Sequence, residues 1–323
     1  MAPLKKIGFS DQEVSLAAIV WQDEVCRMTW GRPLRPLRRS LEAVGLQETP
    51  VLQPLPAGRF RIVAGRRRLL VLRDLALESC PARLIPADQP ARDLVLFNLY
   101  HNLGSHDFNV VERALIVSRL ARYFPEETLV RDFLPLIGLA PHQAVGRRFL
   151  LLAELSPHFW PAFIQGRLFP ETLDLISPNM RPWIEPLLTL CLNLHFGFQK
   201  QKEMLEGLQE LMLRREGGIE AVLRSTGLSA LLCRESLPQT QKGEAWRRSL
   251  RSALYPSLTE TERSFAEQVR DMALDERTRI KPPPFFEGGR YELTMPFASP
   301  GDLETSLERV RLALKAGKLD HLP

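Results

Sequence analysis

The residues best suited to chemistry in this chain are three consecutive arginines, Arg66, Arg67 and Arg68, which directly follow Gly65. Apolar residues alternate with arginine before this glycine and a leucine-rich stretch follows it, a pattern that predicts a strand, a tight turn and a helix. Backbone N–H groups at a helix start favour anions, whereas cations in the first turn oppose the helix dipole. A bound phosphate would offset that opposition; a solvated basic turn is the alternative that these residues leave open.

The composition is that of an ordinary globular protein. The chain has 323 residues, of which 45% are hydrophobic and 25% charged, so we expect two or three domains with cores of their own. The net charge of +5 permits nucleic-acid binding without demonstrating it. No apolar run has the length of a membrane span and the N-terminus lacks a signal-peptide core, so we expect a cytoplasmic protein without a membrane partner.

The cysteines are far apart and form no CxxC pair. This spacing favours reduced core residues over metal ligands or disulfides. They are Cys26, Cys80, Cys191 and Cys233.

Residues 1–95 have the pattern of an α/β domain, with a glycine-containing turn at 56–58 between two of its strands. The predicted strands are Ser15–Val20, Val51–Pro54, Phe60–Ala64 and Ala82–Ile85, and the predicted helices are Pro36–Val44 and Arg67–Leu77.

The central region is predicted to be helical, and two of its short helices, 126–134 and 142–155, meet at a glycine-containing turn. This arrangement is typical of a helix-turn-helix, in which the second helix enters a DNA groove. A plain helical bundle with solvated arginines is the alternative. The candidate DNA contacts are His142, Gln143, Arg147 and Arg148.

Residues 236–256 are polar and proline-containing, which favours a linker, and their basic run at 246–251 could contact the DNA backbone or be solvated. Residues 257–323 have the pattern helix–strand–strand–helix. Two strands bury little core, so we expect homodimerisation, with docking onto the helical region as the alternative. The candidate dimerisation residues are Tyr291, Leu293, Met295, Phe297, Leu303, Leu307 and Val310.

The order of these elements, with the segment GLQETP and the turn at Gly65, resembles the N-terminal domain of the ParB partition-protein family. The matching positions are Gly45, Leu46, Pro50, Gly65, Arg67 and Arg68. The resemblance implies a sulfiredoxin-like domain that binds CTP, with the arginines of the turn at the triphosphate.

A second segment, HNLGSHDFNVVERA at 101–114, is similar to the family's second nucleotide motif. The positions in register are Asn102, Leu103, Asp107, Asn109, Glu112 and Ala114. Two of the family's acidic positions are Arg66 and His101 here, and its Gln-Arg pair is Gly104-Ser105. Because Mg²⁺ prefers carboxylate and water oxygens, these departures disfavour Mg²⁺ and predict weak or absent hydrolysis.

The resemblance covers nearly the whole chain. It implies an α+β protein with a ParB/sulfiredoxin-like domain at 1–100, a helical helix-turn-helix domain at 101–235, the linker at 236–256 and an αββα dimerisation domain at 257–323. The nucleotide-binding residues that it implies are Gly45, Leu46, Gly65, Arg66, Arg67, Arg68, Asn102 and Ser105.

The function implied is that of a dimeric, nucleoid-associated protein that binds double-stranded DNA as a CTP-controlled clamp, in chromosome or plasmid segregation or DNA organisation. The family's basic ParA-binding motif is not evident at 1–11, which disfavours a ParA-type partner. One alternative is a nucleotide-dependent kinase or phosphotransferase on the sulfiredoxin-like fold, although no catalytic carboxylate is evident near Gly65. Another is a dimeric scaffold that does not bind DNA.

Overall fold

The computed structural model describes residues 7–104, 107–214, 218–227, 238–320 and 322–323. The chain divides into two compact units, 1–192 and 193–323. Strands and helices occur in both, so the α+β class predicted from the sequence is confirmed. Within the described residues, no helix is long and apolar enough to cross a membrane.

The first unit begins with an α/β region and continues with helices. Its strands are β1 (Ser10–Ser15), β2 (Val51–Leu55), β3 (Arg59–Ala64) and β4 (Ser79–Leu84). Its helices are α1 (Arg35–Val44), α2 (Arg66–Asp74), α3 (Ala91–Leu103), α4 (Val110–Leu120), α5 (Glu126–Thr128), α6 (Gln143–Glu154), α7 (Trp160–Ile164) and α8 (Ile184–Asn193).

The four strands form one sheet in the order β1-β4-β2-β3. β2 is antiparallel to β3, with Leu55 opposite Arg59, and parallel to β4, with Val51 opposite Arg83. This central position buries Leu52 completely. The predicted β2–β3 pair and the helix after Gly65 are confirmed.

The strand predicted at Ser15–Val20 is wrong. β1 lies earlier, at Ser10–Ser15, and pairs with β4 along the edge of the sheet. An edge strand needs few apolar residues, and Val14 is the only residue of β1 that is buried. Leu16–Ala18 form a 3-10 turn instead, through which Leu16 packs into the core.

Helix α3 was not predicted, although Leu94, Val95 and Leu99 recur at helical spacing after Pro90. These three side chains are fully buried. α3 contacts β3, and the Asn98 amide donates a hydrogen bond to the Val63 carbonyl. Because this helix covers one face of the sheet, the end of β3 is buried on both faces rather than alternating as predicted.

Helix α4 begins with a capping box. The Asn109 side chain accepts hydrogen bonds from the N–H groups of Val111 and Glu112, and the Glu112 carboxylate accepts one from the Asn109 N–H. α4 packs against α6, and α5 continues as a π-turn over Leu129–Phe133. The chain then turns at Gly138 (φ +72°) before α6 begins, so the predicted two-helix arrangement is present.

The second unit begins with α9 (Phe198–Arg214) and α10 (Gly218–Ser225), followed by α11 (Gln239–Leu254). The linker predicted at 236–256 is therefore wrong over α11, which packs against α9 and buries Trp246 and Leu250. Two glycines permit the close packing. A Cβ on Gly207 would lie 2.8 Å from Leu250, and a Cβ on Gly243 would lie 2.8 Å from Phe196.

The last elements are α12 (Pro256–Asp271), β5 (Arg279–Lys281), β6 (Glu292–Thr294) and α13 (Pro300–Lys315). The predicted helix–strand–strand–helix order is confirmed, and β5 pairs with β6 antiparallel. Ser299 caps α13, accepting a hydrogen bond from the Asp302 N–H. Several apolar side chains of this segment are exposed in the single chain: Phe285, Leu293, Phe297, Leu307, Leu312 and Leu314.

Candidate anion site and helix-turn-helix surface

A cavity of about 370 Å³ opens at the junction of β3 and α2, within the first unit. The end of β3 and the start of α2 form one side of it, and the C-terminal half of α3 contributes Asn98 and Asn102. The irregular segment between β1 and α1 supplies a further part of the lining. Five arginines line the cavity: Arg27, Arg32, Arg66, Arg67 and Arg68.

Gly65 allows the chain to turn sharply from β3 into α2, which carries the three arginines. Its φ of +83° lies in the left-handed region, and a Cβ added there would be 2.9 Å from the Pro50 Cα. Only glycine tolerates both constraints. The turn therefore starts α2 directly at the edge of the cavity, where the first turn of the helix carries arginine and no acidic residue.

Three of the five arginines are paired with carboxylates. Arg27 contacts Glu24 at 2.6 Å and Arg32 contacts Glu112 at 2.6 Å. Arg68 contacts Glu48, whose side chain is 67% exposed. These pairs offset much of the charge that Arg27, Arg32 and Arg68 bring to the cavity.

Arg66 and Arg67 have only backbone carbonyl oxygens as partners among the described residues. Arg66 donates to the carbonyls of Trp21 and Asp23, and Arg67 donates to that of Pro33 at 3.0 Å. The Nε of Arg67 is buried with no hydrogen-bond partner in the described part of the chain. Two neighbouring positive charges therefore lie at the cavity without a carboxylate in direct contact.

The environment lowers the pKa of both guanidinium groups. Burial is the main cause for Arg66, followed by repulsion from Arg27, and for Arg67 it is burial followed by repulsion from Arg32. Arginine nevertheless stays protonated in proteins. Burial and the neighbouring guanidinium groups thus disfavour the charged form of Arg66 and Arg67, and an anion in the cavity would offset this effect.

Glu112 fixes the cavity's irregular segment to α4. Its carboxylate is fully buried and accepts hydrogen bonds from the Arg32 side chain and from the N–H of Trp30. The Asn109 amide donates to the Trp30 carbonyl at 3.0 Å. Arg119, about two turns further along α4 than Glu112, contacts Glu24 at 3.1 Å. The segment between β1 and α1 that carries Arg27 and Arg32 is thus fixed in place by its contacts with α4.

The structure brings most, but not all, of the predicted nucleotide residues together. Gly65, Arg66, Arg67, Arg68 and Asn102 line the cavity, as does His101. Asn102 also donates to the Asn98 carbonyl at 2.8 Å.

Gly45 and Leu46 are not part of the cavity lining. Gly45 ends α1 with φ +71°, and Leu46 packs against the core of the sheet, so both have structural roles in the single chain. Ser105 lies outside the described residues.

Arg27 and Arg32 were missed because they lie in a segment without helical or strand periodicity. The density of arginine there, CRMTWGR followed by PLRPLRR, was the only available signal. Glu112 was matched to the family motif but was not assigned to the site, and its burial depends on contacts 80 residues away.

At the helix-turn-helix, the start of α6 is exposed at His142, Gln143 and Arg147. The Arg147 side chain is 67% exposed and contacts Glu126 at 3.3 Å. Arg148 differs, because its side chain is 16% exposed and is held by Asp174 and Glu171. The hydrogen bond with Asp174 raises the pKa of Arg148. Arg148, predicted as a DNA contact, therefore forms an ion pair within the chain.

The cysteines with described positions are free thiols, and all three are buried. Cys26 lines the arginine cavity, but burial raises the pKa of its thiol to about 12. Burial likewise raises the pKa of Cys80 to about 11. Cys233 lies outside the described residues, among which no three His, Cys, Asp or Glu side chains form a metal-binding group.

The buried pair of Glu112 and Arg32 generates a stability prediction. Glu112→Gln removes the carboxylate and leaves Arg32 without its counter-charge, so we expect a loss of about 3 kcal/mol in the free energy of unfolding. Urea denaturation measures this. The control is Glu42→Gln, which breaks an exposed pair with Arg38 and should cost less than about 0.5 kcal/mol. Equal effects of the two substitutions would contradict the assigned role of Glu112.

Comparison with known proteins gives matches over parts of the chain. No family model matches it. It is 28% identical over 148 residues to the uncharacterized protein YubM of Escherichia coli O157:H7, a match of 44% of this chain and 21% of that protein. It is 28% identical over 91 residues to the probable chromosome-partitioning protein ParB of Pseudomonas putida, covering 28% of this chain and 31% of that protein. The matches thus span about a fifth to a third of these relatives.

Among solved structures, similar chains include the C-terminally truncated ParB of Caulobacter crescentus complexed with CTP-γ-S (19% identity, TM-score 0.26, covering 57% of this chain and 99% of that one). The same protein complexed to the centromeric parS site gives 16% identity and a TM-score of 0.33, covering 60% of this chain and 98% of that one. A Pnob8-like ParB-N domain gives 13% identity and a TM-score of 0.36, covering 77% of this chain and 99% of that one. Over these parts, the chain is similar in sequence to probable chromosome-partitioning proteins named ParB.

Proposed function

We propose that this chain is a ParB-like DNA-binding protein whose N-terminal cavity binds a nucleoside triphosphate. The observation that carries the proposal is the pair Arg66 and Arg67, which lines a cavity next to a helix start without a carboxylate partner among the described residues. Charge-assisted bonds to phosphate suit arginine in such a setting. CTP is the nucleotide implied by the motif resemblance.

Calorimetric titration with CTP, ATP and GTP, both in EDTA and in Mg²⁺-containing buffer, tests the nucleotide site. We expect saturable binding of CTP, and Arg67→Gln should weaken it by about tenfold to a hundredfold because a charge-assisted hydrogen bond is lost. Arg59→Gln is the matched control, since Arg59 is an exposed arginine of β3 outside the cavity lining. Absence of binding by all three nucleotides would contradict the nucleotide site and leave DNA binding as a separate question.

DNA is the proposed partner of the helix-turn-helix surface. Support comes from the exposed start of α6, where His142, Gln143 and Arg147 lie side by side after the turn at Gly138. The chain's relationship to a probable chromosome-partitioning protein agrees with this assignment and suggests a role in DNA segregation or organisation. A nucleotide-controlled clamp on DNA is the mechanism that the family resemblance implies for such a dimer.

Binding of labelled duplex DNA across a salt series tests this surface. Loss of one phosphate contact reduces the magnitude of the slope of log affinity against log salt by about 1. We expect this reduction for Arg147→Gln. Arg148→Gln, one residue along α6, should leave the slope unchanged because Arg148 is committed to Asp174. Equal slopes for the two variants, or no salt dependence of the unmodified protein, would contradict the proposed interface.

Homodimerisation through residues 257–323 is the third part of the proposal. Of the seven candidate dimerisation residues, Leu293, Phe297 and Leu307 are 43–57% exposed in the single chain. Val310 and Tyr291 are already engaged within the chain, since Val310 is buried and Tyr291 stacks on Phe265. The exposed residues therefore offer the apolar surface that a second copy would cover.

Sedimentation analysis at about 10 μM chain tests the dimer. Phe297→Asp and Leu307→Asp place charges on exposed positions, so they should leave the fold intact and weaken self-association by tenfold or more. Leu213→Asp is the control, because Leu213 is 75% exposed on α9, away from this segment. A monomeric unmodified protein at this concentration would contradict homodimerisation.

A further inference from the structure

The resemblance to the partition-protein family implies Mg²⁺ beside the triphosphate, and the residues of this cavity do not fit that ion. Magnesium at a phosphate site is held by one or two carboxylates together with water and phosphate oxygens. Among the described residues, Glu48 contributes the one carboxylate of the cavity lining, and it is bound by Arg68. His101, also in the lining, offers a nitrogen, which Mg²⁺ binds poorly.

The nearest other carboxylates are also engaged by arginine. Asp23 accepts a hydrogen bond from the Arg61 Nε at 2.7 Å, and Glu24 is shared between Arg27 and Arg119. Glu112 is fully buried against Arg32. Freeing any of these side chains for a metal would leave an arginine uncompensated.

Arg66 takes up the position after Gly65 where the family resemblance places an acidic residue. The backbone carbonyls of Trp21 and Asp23 hold its guanidinium group, and a carbonyl partner fixes the group without neutralising its charge. Arg67, its neighbour, has a buried Nε without a partner in the described part of the chain. Arg66 and Arg67 therefore supply fixed positive charge at the cavity, which can offset the charge of bound phosphates in place of a divalent ion.

We infer that this cavity binds a polyphosphate, such as a nucleoside triphosphate, without a divalent cation, with Arg66 and Arg67 as its counter-charges. The inference rests on the proposed nucleotide site and specifies the form of ligand that the site takes. Mg²⁺ on the phosphates withdraws negative charge from the ligand and is itself repelled by the two guanidinium groups. Magnesium therefore competes with the arginines for the same phosphate oxygens.

Calorimetry of the 323-residue chain with CTP, and separately with inorganic tripolyphosphate, in EDTA and in about 5 mM Mg²⁺ tests the inference. We expect binding in EDTA that is as tight as in Mg²⁺ or up to about tenfold tighter. Binding of tripolyphosphate without a nucleoside assigns the recognition to the phosphates.

Two substitutions of Arg66 distinguish an electrostatic role in ligand binding from a purely structural role. Arg66→Gln removes the charge and should weaken binding in EDTA by about tenfold or more, with a smaller loss in Mg²⁺. Arg66→Glu supplies a carboxylate, so binding in EDTA should fall further and Mg²⁺ should partly restore it. A purely structural role for Arg66 would weaken binding equally in both buffers. Arg59→Gln, with its arginine outside the cavity lining, should behave like the unmodified protein.

Binding of CTP that is at least tenfold tighter in Mg²⁺ than in EDTA would overturn the inference and leave the proposed nucleotide site standing. Failure of both CTP and tripolyphosphate to bind in either buffer would overturn the proposed site itself, and the inference with it. Circular dichroism melting shows whether both variants fold. If Arg66→Glu does not fold, Arg66→Gln still tests the inference, because it introduces no buried charge.

Discussion

The buried ion pair between Glu112 and Arg32 is the interaction on which the architecture of the first unit depends. Glu112 caps α4 and, through the same carboxylate, accepts hydrogen bonds from Arg32 and from the Trp30 N–H. A fully buried carboxylate is costly unless each of its oxygens is satisfied. Satisfying it holds the segment between the 3-10 turn at Leu16–Ala18 and α1 against α4.

That constraint determines the electrostatics of the cavity. The segment fixed by Glu112 carries Arg27 and Arg32, and the turn at Gly65 brings Arg66 and Arg67 to the same space. Carboxylates offset the first two arginines, whereas backbone carbonyls hold the second two. The result is a concave site with an excess of positive charge, which is the physical basis of the proposal that it binds a phosphate-bearing ligand without a metal ion.

In the second unit, two glycines allow α11 to pack closely against its neighbours within the region predicted to be a linker. Gly207 on α9 and Gly243 on α11 let Leu250 and Phe196 approach within distances that a methyl group would not permit. Two basic residues of α11 face carboxylates, since Arg247 contacts Glu203 at 2.7 Å and Arg251 contacts Glu262 at 2.7 Å. The polar composition that favoured a linker therefore belongs to the solvent-facing side of a helix whose other side buries Trp246.

The sequence by itself determined the features that depend on near neighbours along the chain. The β2–β3 pair, the helix after Gly65 and the order of the last four elements follow from alternation and glycine placement. It also singled out Arg66 and Arg67 as a basic helix start after Gly65, and Asn102 through the resemblance to a family motif.

Only the tertiary structure decided which charges are free. Arg148 and Arg147 are adjacent in the sequence and equivalent in composition, yet Arg148 is held by Asp174 and Arg147 is exposed, because each faces a different side of α6. The roles of Glu112 and Arg32 depend on a contact across 80 residues, and the helical state of α11 depends on packing against α9. Local sequence patterns carry no information on such pairings, since charge balance and burial are set by residues that meet only after folding.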